Sequence, residues 1–112
     1  MVDDSVIRVV QHYLAVLNGA GVHAIRGVVF GSYARGEQRW ESDIDLVVVA
    51  PEFDNLRDRR LSDLLWRMRA HADPRIEPIP CGERQWEEDN VSPVIEMARR
   101  EGQVIPYVPQ AV

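Results

Sequence analysis

The sequence predicts a small α/β (α+β) domain, a mixed β-sheet flanked by helices, and three observations carry that prediction. Segments with apolar residues at helical spacing alternate with short β-branched runs. Most of the segments end in Gly or Pro, which punctuate local structure. The order reads α-β-β-α-β-α, closed by a last short strand or docked tail, so apolar faces must be buried between neighbouring layers.

Each element has its own signature. Over residues 5–18, Val6, Val9, Val10, Tyr13, Leu14 and Leu17 recur on one helical face, and "NGAG" supplies the stop. Residues 25–30, "IRGVVF", are β-branched and aromatic and predict a strand. Gly31 and Ser32 interrupt it, and "YARGE" predicts one short helical turn. Residues 43–50, "DIDLVVVA", give the strongest strand signal and end at Pro51. A helix is expected over about 56–71, with Leu61, Leu64, Leu65 and Met68 inward and Asp54 or Asn55 as its cap. "RIEPIP" at 75–80 carries two prolines, which place it at a sheet edge. Ser92-Pro93 fits N-cap then first helical position, opening a helix through about Arg100 that Gly102 ends. "QVIPYV" follows as the last strand or tail.

Bulk properties narrow the class of protein. A chain of 112 residues fits one domain, 1–112, with a core of its own. Hydrophobic residues make up 46% and charged residues 28%, a globular rather than a disordered balance. The formal net charge of −5 argues against direct nucleic-acid binding, which relies on clustered basic residues. "RDRR" at 57–60 and "RR" at 99–100 read as solvated helix faces. Cys81 is the single cysteine, so no internal disulfide forms and a cytoplasmic setting is expected. The acidic start lacks a signal-peptide pattern, and no apolar run is long enough to span a bilayer.

The chemistry concentrates in residues 31–49, "GSYARGEQRWESDIDLVVV". On a strand, Asp43 and Asp45 project to one face about 6.6 Å apart, while Ile44 and Leu46 face the core. Adjacent carboxylates raise one another's pKa unless a cation neutralises them, and hard cations such as Mg²⁺ take oxygen ligands of this kind. Gly31 lets a phosphate approach the backbone, and Ser32 offers a hydroxyl ahead of a helical turn whose N–H groups attract anions. Taken singly, each feature has an ordinary alternative: a strand-start cap for Asp43, an exposed acid at Asp45, a plain turn at Gly31-Ser32. Together they describe a site for a metal and a triphosphate.

This stretch resembles the Gly-Ser…Asp-x-Asp signature of the nucleotidyltransferase superfamily related to DNA polymerase beta. "GSYARG" and "SDIDLVV" are most similar to its minimal nucleotidyltransferase branch, often encoded beside a HEPN-domain partner. The resemblance implies the nucleotidyltransferase fold, with Gly31 and Ser32 on the nucleotide phosphates and Asp43 and Asp45 on two Mg²⁺ ions. Arg35 falls on the Ala-Arg-Gly position, either near the phosphates or as a surface turn arginine. The family carries a third carboxylate, usually aspartate, on a later strand. Here Glu77 in "RIEPIP" is the comparable residue and Asp73 a weaker candidate. The implied activity is transfer of a nucleoside monophosphate, AMP from ATP, to an acceptor hydroxyl, with catalytic residues Asp43, Asp45 and Glu77. The implied partner is a HEPN toxin, with this chain as its antitoxin. The chain itself lacks the HEPN pattern of Arg, four to six residues, His. The alternatives are a catalytically weak module that neutralises a partner by contact, and transfer to a small molecule.

The remaining chemistry-bearing residues have plain expectations. His12, His23 and His71 lack metal-ligand spacing and read as surface or helix-end residues. Trp40, Trp66 and Trp86 are expected in core or interface packing, with base stacking as the alternative. Tyr33 is a candidate contact for nucleotide or partner, and Cys81 is expected to be an inert thiol.

Overall fold

Which segments pair follows from where the apolar residues fall, and the pairing decides where the acids lie. The structure, a computed structural model, describes residues 2–39, 42–55 and 59–109. Trp40, Arg57 and the expected start of the third helix lie outside the described residues. Helix α1 (Asp4–Gly19) starts at Asp3, whose carboxylate accepts from the Ser5 N–H at 3.2 Å. Strand β1 (Arg26–Phe30) leads into the one-turn helix α2 (Ser32–Arg35). Strand β2 (Ile44–Val49) is followed by a 3₁₀ turn (Pro51–Asn55), helix α3 (Arg59–Met68) and a second 3₁₀ turn (Arg69–His71). Then come β3 (Ile76–Cys81), α4 (Glu83–Glu88), α5 (Pro93–Glu101) and β4 (Gln103–Pro106).

The four strands form one sheet in the order β3-β2-β1-β4. β1 runs antiparallel to both β2 and β4, whereas β2 and β3 are parallel. A parallel pair needs a crossover, and α3 supplies it. On one face, Val29, Ile44, Leu46 and Val48 pack with Val10, Leu14 and Leu17 of α1 and Leu65 of α3. On the other, Val28, Phe30, Val47 and Val49 pack with Ile95 and Ala98 of α5. Gly27 lets α1 sit close, since a Cβ there would lie 3.0 Å from both Val10 and Leu46. β3 is an edge strand, as its prolines predict: bonds to β2 run from the Arg75 carbonyl to the Cys81 carbonyl, so the missing N–H groups of Pro78 and Pro80 fall on the open side.

Tyr13 joins α1 to α3. Its ring is fully buried and its hydroxyl donates to the Leu65 carbonyl at 2.6 Å. Tyr13→Phe removes this hydrogen bond between the helices, and urea denaturation is expected to show a loss of about 1 kcal/mol with an unchanged slope.

The sequence reading needs three adjustments. Helix α4 was not anticipated, because "ERQWEE" is nearly all polar and has no apolar period. It is held instead by tertiary capping: the Asp54 carboxylate accepts from the Arg84 N–H at 3.1 Å and the Gln85 N–H at 3.2 Å. Asp54 therefore caps α4 and not the helix that follows it in sequence. Arg99 is also more than a solvated charge, since it donates to the carbonyls of Trp86 and Asp89 and ties α5 to the end of α4. Ser92 caps α5 as the Ser-Pro pair predicts, with Pro93 at its first turn and Gly102 after its end.

Candidate active site

The site assembles where three chain segments leave the sheet at one end. β1 ends at Phe30, which pairs with Asp45 of β2, and Asp45 pairs on its other side with Glu77 of β3. Paired residues in neighbouring strands share a face, so Asp45 and Glu77 lie side by side. Asp43 immediately precedes β2 and is exposed, whereas Asp45 and Glu77 are half-buried. Ile44 and Leu46 are fully buried on the opposite face, as strand alternation requires. That buried pair anchors the register and with it the direction of both aspartates.

Gly31 follows Phe30 directly, which brings the turn beside the carboxylates. Its backbone has φ 74° and ψ −147°, a region open to glycine and hardly to other residues. A Cβ on Gly31 would overlap the Asp45 carboxylate. The turn and the acid are therefore in close contact, and glycine is needed for both backbone and space. Ser32 opens α2 with no side-chain cap on the helix. The N–H groups of Ala34 and Arg35 point back to the Gly31 carbonyl at 3.1 Å each.

Electrostatics set Asp45 and Glu77 apart from the other described carboxylates. Burial is the main cause that raises the Asp45 pKa, and the Asp43 charge adds to it, while a hydrogen bond with Glu77 and the charge of Arg35 pull it back. Glu77 is raised by burial, by a hydrogen bond with Asp43 and by both aspartate charges, against a smaller opposing effect of Arg69. Glu77 thus stands close to both aspartates, and burial together with like charge disfavours ionisation of Asp45 and Glu77. Among the described residues no three Asp, Glu, His or Cys side chains converge as a ready metal cage. The donor set nonetheless fits a hard divalent cation: three carboxylates, two of them reluctant to ionise alone, in place of the N and S donors that zinc prefers.

The other candidates are placed as follows. The Arg35 guanidinium pairs with Glu101 at 3.0 Å and Glu37 at 3.3 Å, so it sits beside the site engaged by two acids. Asp73 does not join the carboxylates. It holds Arg75 through both oxygens, at 3.0 Å from Nε and 2.7 Å from Nη2. Tyr33 is buried in the core beneath α2, and its hydroxyl accepts from Arg75 at 3.0 Å. Trp66 is 45% exposed with Arg69 stacked on its ring at 4.6 Å, and Trp86 packs against the α5 side of the core. His12 Nε2 donates to the His71 carbonyl at 3.1 Å and His23 pairs with Glu52 at 2.7 Å, both on the surface. Cys81 is buried and its thiol is pushed up to about 12, chiefly by burial, which makes it inert. No helix among the described residues is long and apolar enough to cross a membrane. Sequence reasoning missed Arg75, whose position next to the third carboxylate strand was the available signal.

Comparison with known proteins bears on the fold and the family. Curated proteins give no match. Among solved structures, one described as a toxin-antitoxin crystal structure with AMP-PNP superposes with a TM-score of 0.59 at 19% identity, over 88% of this chain and 73% of that one. The likeness is one of fold. The profile of the nucleotidyltransferase domain matches residues 23–97, a span that includes Gly31, Ser32, Asp43, Asp45 and Glu77. A glycine turn pressed against a strand aspartate, with a second acid from the parallel strand beside it, is thus embedded in a matched domain, and the chain belongs to the nucleotidyltransferase domain family.

Proposed function

We propose that residues 1–112 act as one nucleotidyltransferase domain of the minimal branch, a Mg²⁺-dependent enzyme that moves AMP from ATP to a hydroxyl on a partner protein. The partner is a HEPN-domain toxin and this chain its antitoxin. The observation that carries the reading is the contact of Gly31 with the Asp45 carboxylate, because it puts the phosphate-seating turn and the acids within reach of one ligand. The similar structure described as a toxin-antitoxin with AMP-PNP supports both the triphosphate and the partner.

In this reading the backbone N–H groups at the start of α2 and the Ser32 hydroxyl seat the phosphates. Arg35, which Glu37 and Glu101 hold nearby, counters their charge. Asp43, Asp45 and Glu77 would hold Mg²⁺, which when bound offsets charge on the triphosphate and favours ionisation of the acceptor. The acceptor oxygen bonds to the α-phosphorus as the bond to pyrophosphate breaks. Its proton goes to Glu77, the half-buried carboxylate on β3 beside Asp45. The acceptor pocket belongs to the partner.

The engagement of Arg35 by two acids, and the lack of a ready three-acid cage among the described residues, favour a second reading: a module that neutralises its partner by contact. Incubation of the chain and partner with Mg²⁺ and ATP labelled at the α-phosphate separates the two. Label is expected on the partner and is expected to vanish in Asp43→Ala. Neutralisation that survives Asp43→Ala, with no label in the parent, would establish the contact module instead.

A further inference from the structure

We propose that Arg75 is the positioning residue of this site, a strut that fixes the phosphate-seating turn against the carboxylate strands. The inference rests on the reading above for its consequence, but its geometry stands independently. Arg75 touches all three site-bearing segments. Its Nη1 donates to the Tyr33 hydroxyl at 3.0 Å, and Tyr33 follows Ser32 in α2. Its carbonyl accepts from the Ile44 N–H at 2.8 Å, and Ile44 lies between Asp43 and Asp45. It immediately precedes β3, whose second residue is Glu77.

The need for a strut follows from the length of α2. A helix of four residues cannot hold its own direction, because one turn fixes many torsions for few hydrogen bonds. The Gly31 turn sets where α2 begins. Tyr33, buried below and bonded to Arg75, sets where it points. Asp73 completes the device. Left free, the guanidinium could turn any of its donors outward. The two Asp73 oxygens occupy Nε and Nη2 instead and leave Nη1 aimed at Tyr33. This fork needs a planar guanidinium, which lysine cannot reproduce. Asp73 thus serves by orienting Arg75 and does not join the carboxylates.

Tyr33→Phe and Arg75→Lys test the proposal, the first because it keeps the ring packing, the second because it keeps the charge. Two readouts are taken. In the ligand-free protein, amide exchange is expected to accelerate at Ala34, Arg35 and Ile44 in both variants while the α1 amides are unchanged. Calorimetric titration with Mg²⁺ and AMP-PNP is expected to show affinity about tenfold weaker in each, the order of one lost charged hydrogen bond. Exchange rates equal to the parent's at those three amides would overturn the strut whatever the nucleotide result. Full affinity in Arg75→Lys would show that charge alone suffices, which also overturns it. A parent chain that binds no Mg²⁺–AMP-PNP would count against the proposed function, leaving the exchange result to decide the strut.

Discussion

Asp45→Asn is expected to stabilise the metal-free protein while lowering nucleotidyl transfer by about a thousandfold or more, since metal-held charge stabilisation is worth several kcal/mol. The two effects have one origin. Burial and the Asp43 charge raise the Asp45 pKa in the folded chain. At low pH both folded and unfolded forms are protonated, and the group has no effect. As pH rises past the ordinary carboxylate value, about 4, the unfolded chain ionises first and stability falls. The penalty is complete once pH exceeds the folded value, so it is present at neutral pH. Glu77, also raised, adds to the same limb. Chemical denaturation in a chelator should therefore place Asp45→Asn above the parent at neutral pH, with the gap closing in acid. An asparagine variant less stable than the parent at neutral pH would show that the acids are not in conflict.

Gly31→Ala is the second large effect and acts through shape. Its φ of 74° with ψ −147° costs a non-glycine residue about 2–3 kcal/mol, a fall in Tm of roughly 10 °C or more in a domain of this size. The new methyl group also displaces the Asp45 carboxylate. Binding of Mg²⁺–AMP-PNP should be lost even at temperatures where the variant is folded. On an Asp45→Ala background the overlap is gone and only the backbone cost remains, so the two substitutions should destabilise by less than their sum. Strict additivity in calorimetric melting would mean that turn and acid do not touch.

Much of the architecture could be read from the chain because its signals are local. The β-branched run of β2 and the Ser-Pro start of α5 each carry their own cause within a few residues. The Gly-Ser turn and the Asp-x-Asp pair were legible for the same reason. What eluded the sequence depends on partners far along the chain. α4 exists because Asp54 reaches its N-terminus from about thirty residues upstream, and no pattern inside "ERQWEE" records that. Tyr33 looked like a ligand contact because it adjoins Ser32, yet the short helix turns it inward. Asp73 resembled a third acid until Arg75 claimed both its oxygens.

Cys81 gives the molecule a built-in clock. Its sulfur is sealed at the far end of the strand that bears Glu77, and no other thiol competes for reagent. A maleimide can reach it only when the packing of β3 against α4 and α5 opens, so the rate of modification counts those openings. Anything clamped between Glu77 and the glycine turn should slow the clock, which makes occupancy of the site measurable without any chemistry taking place there.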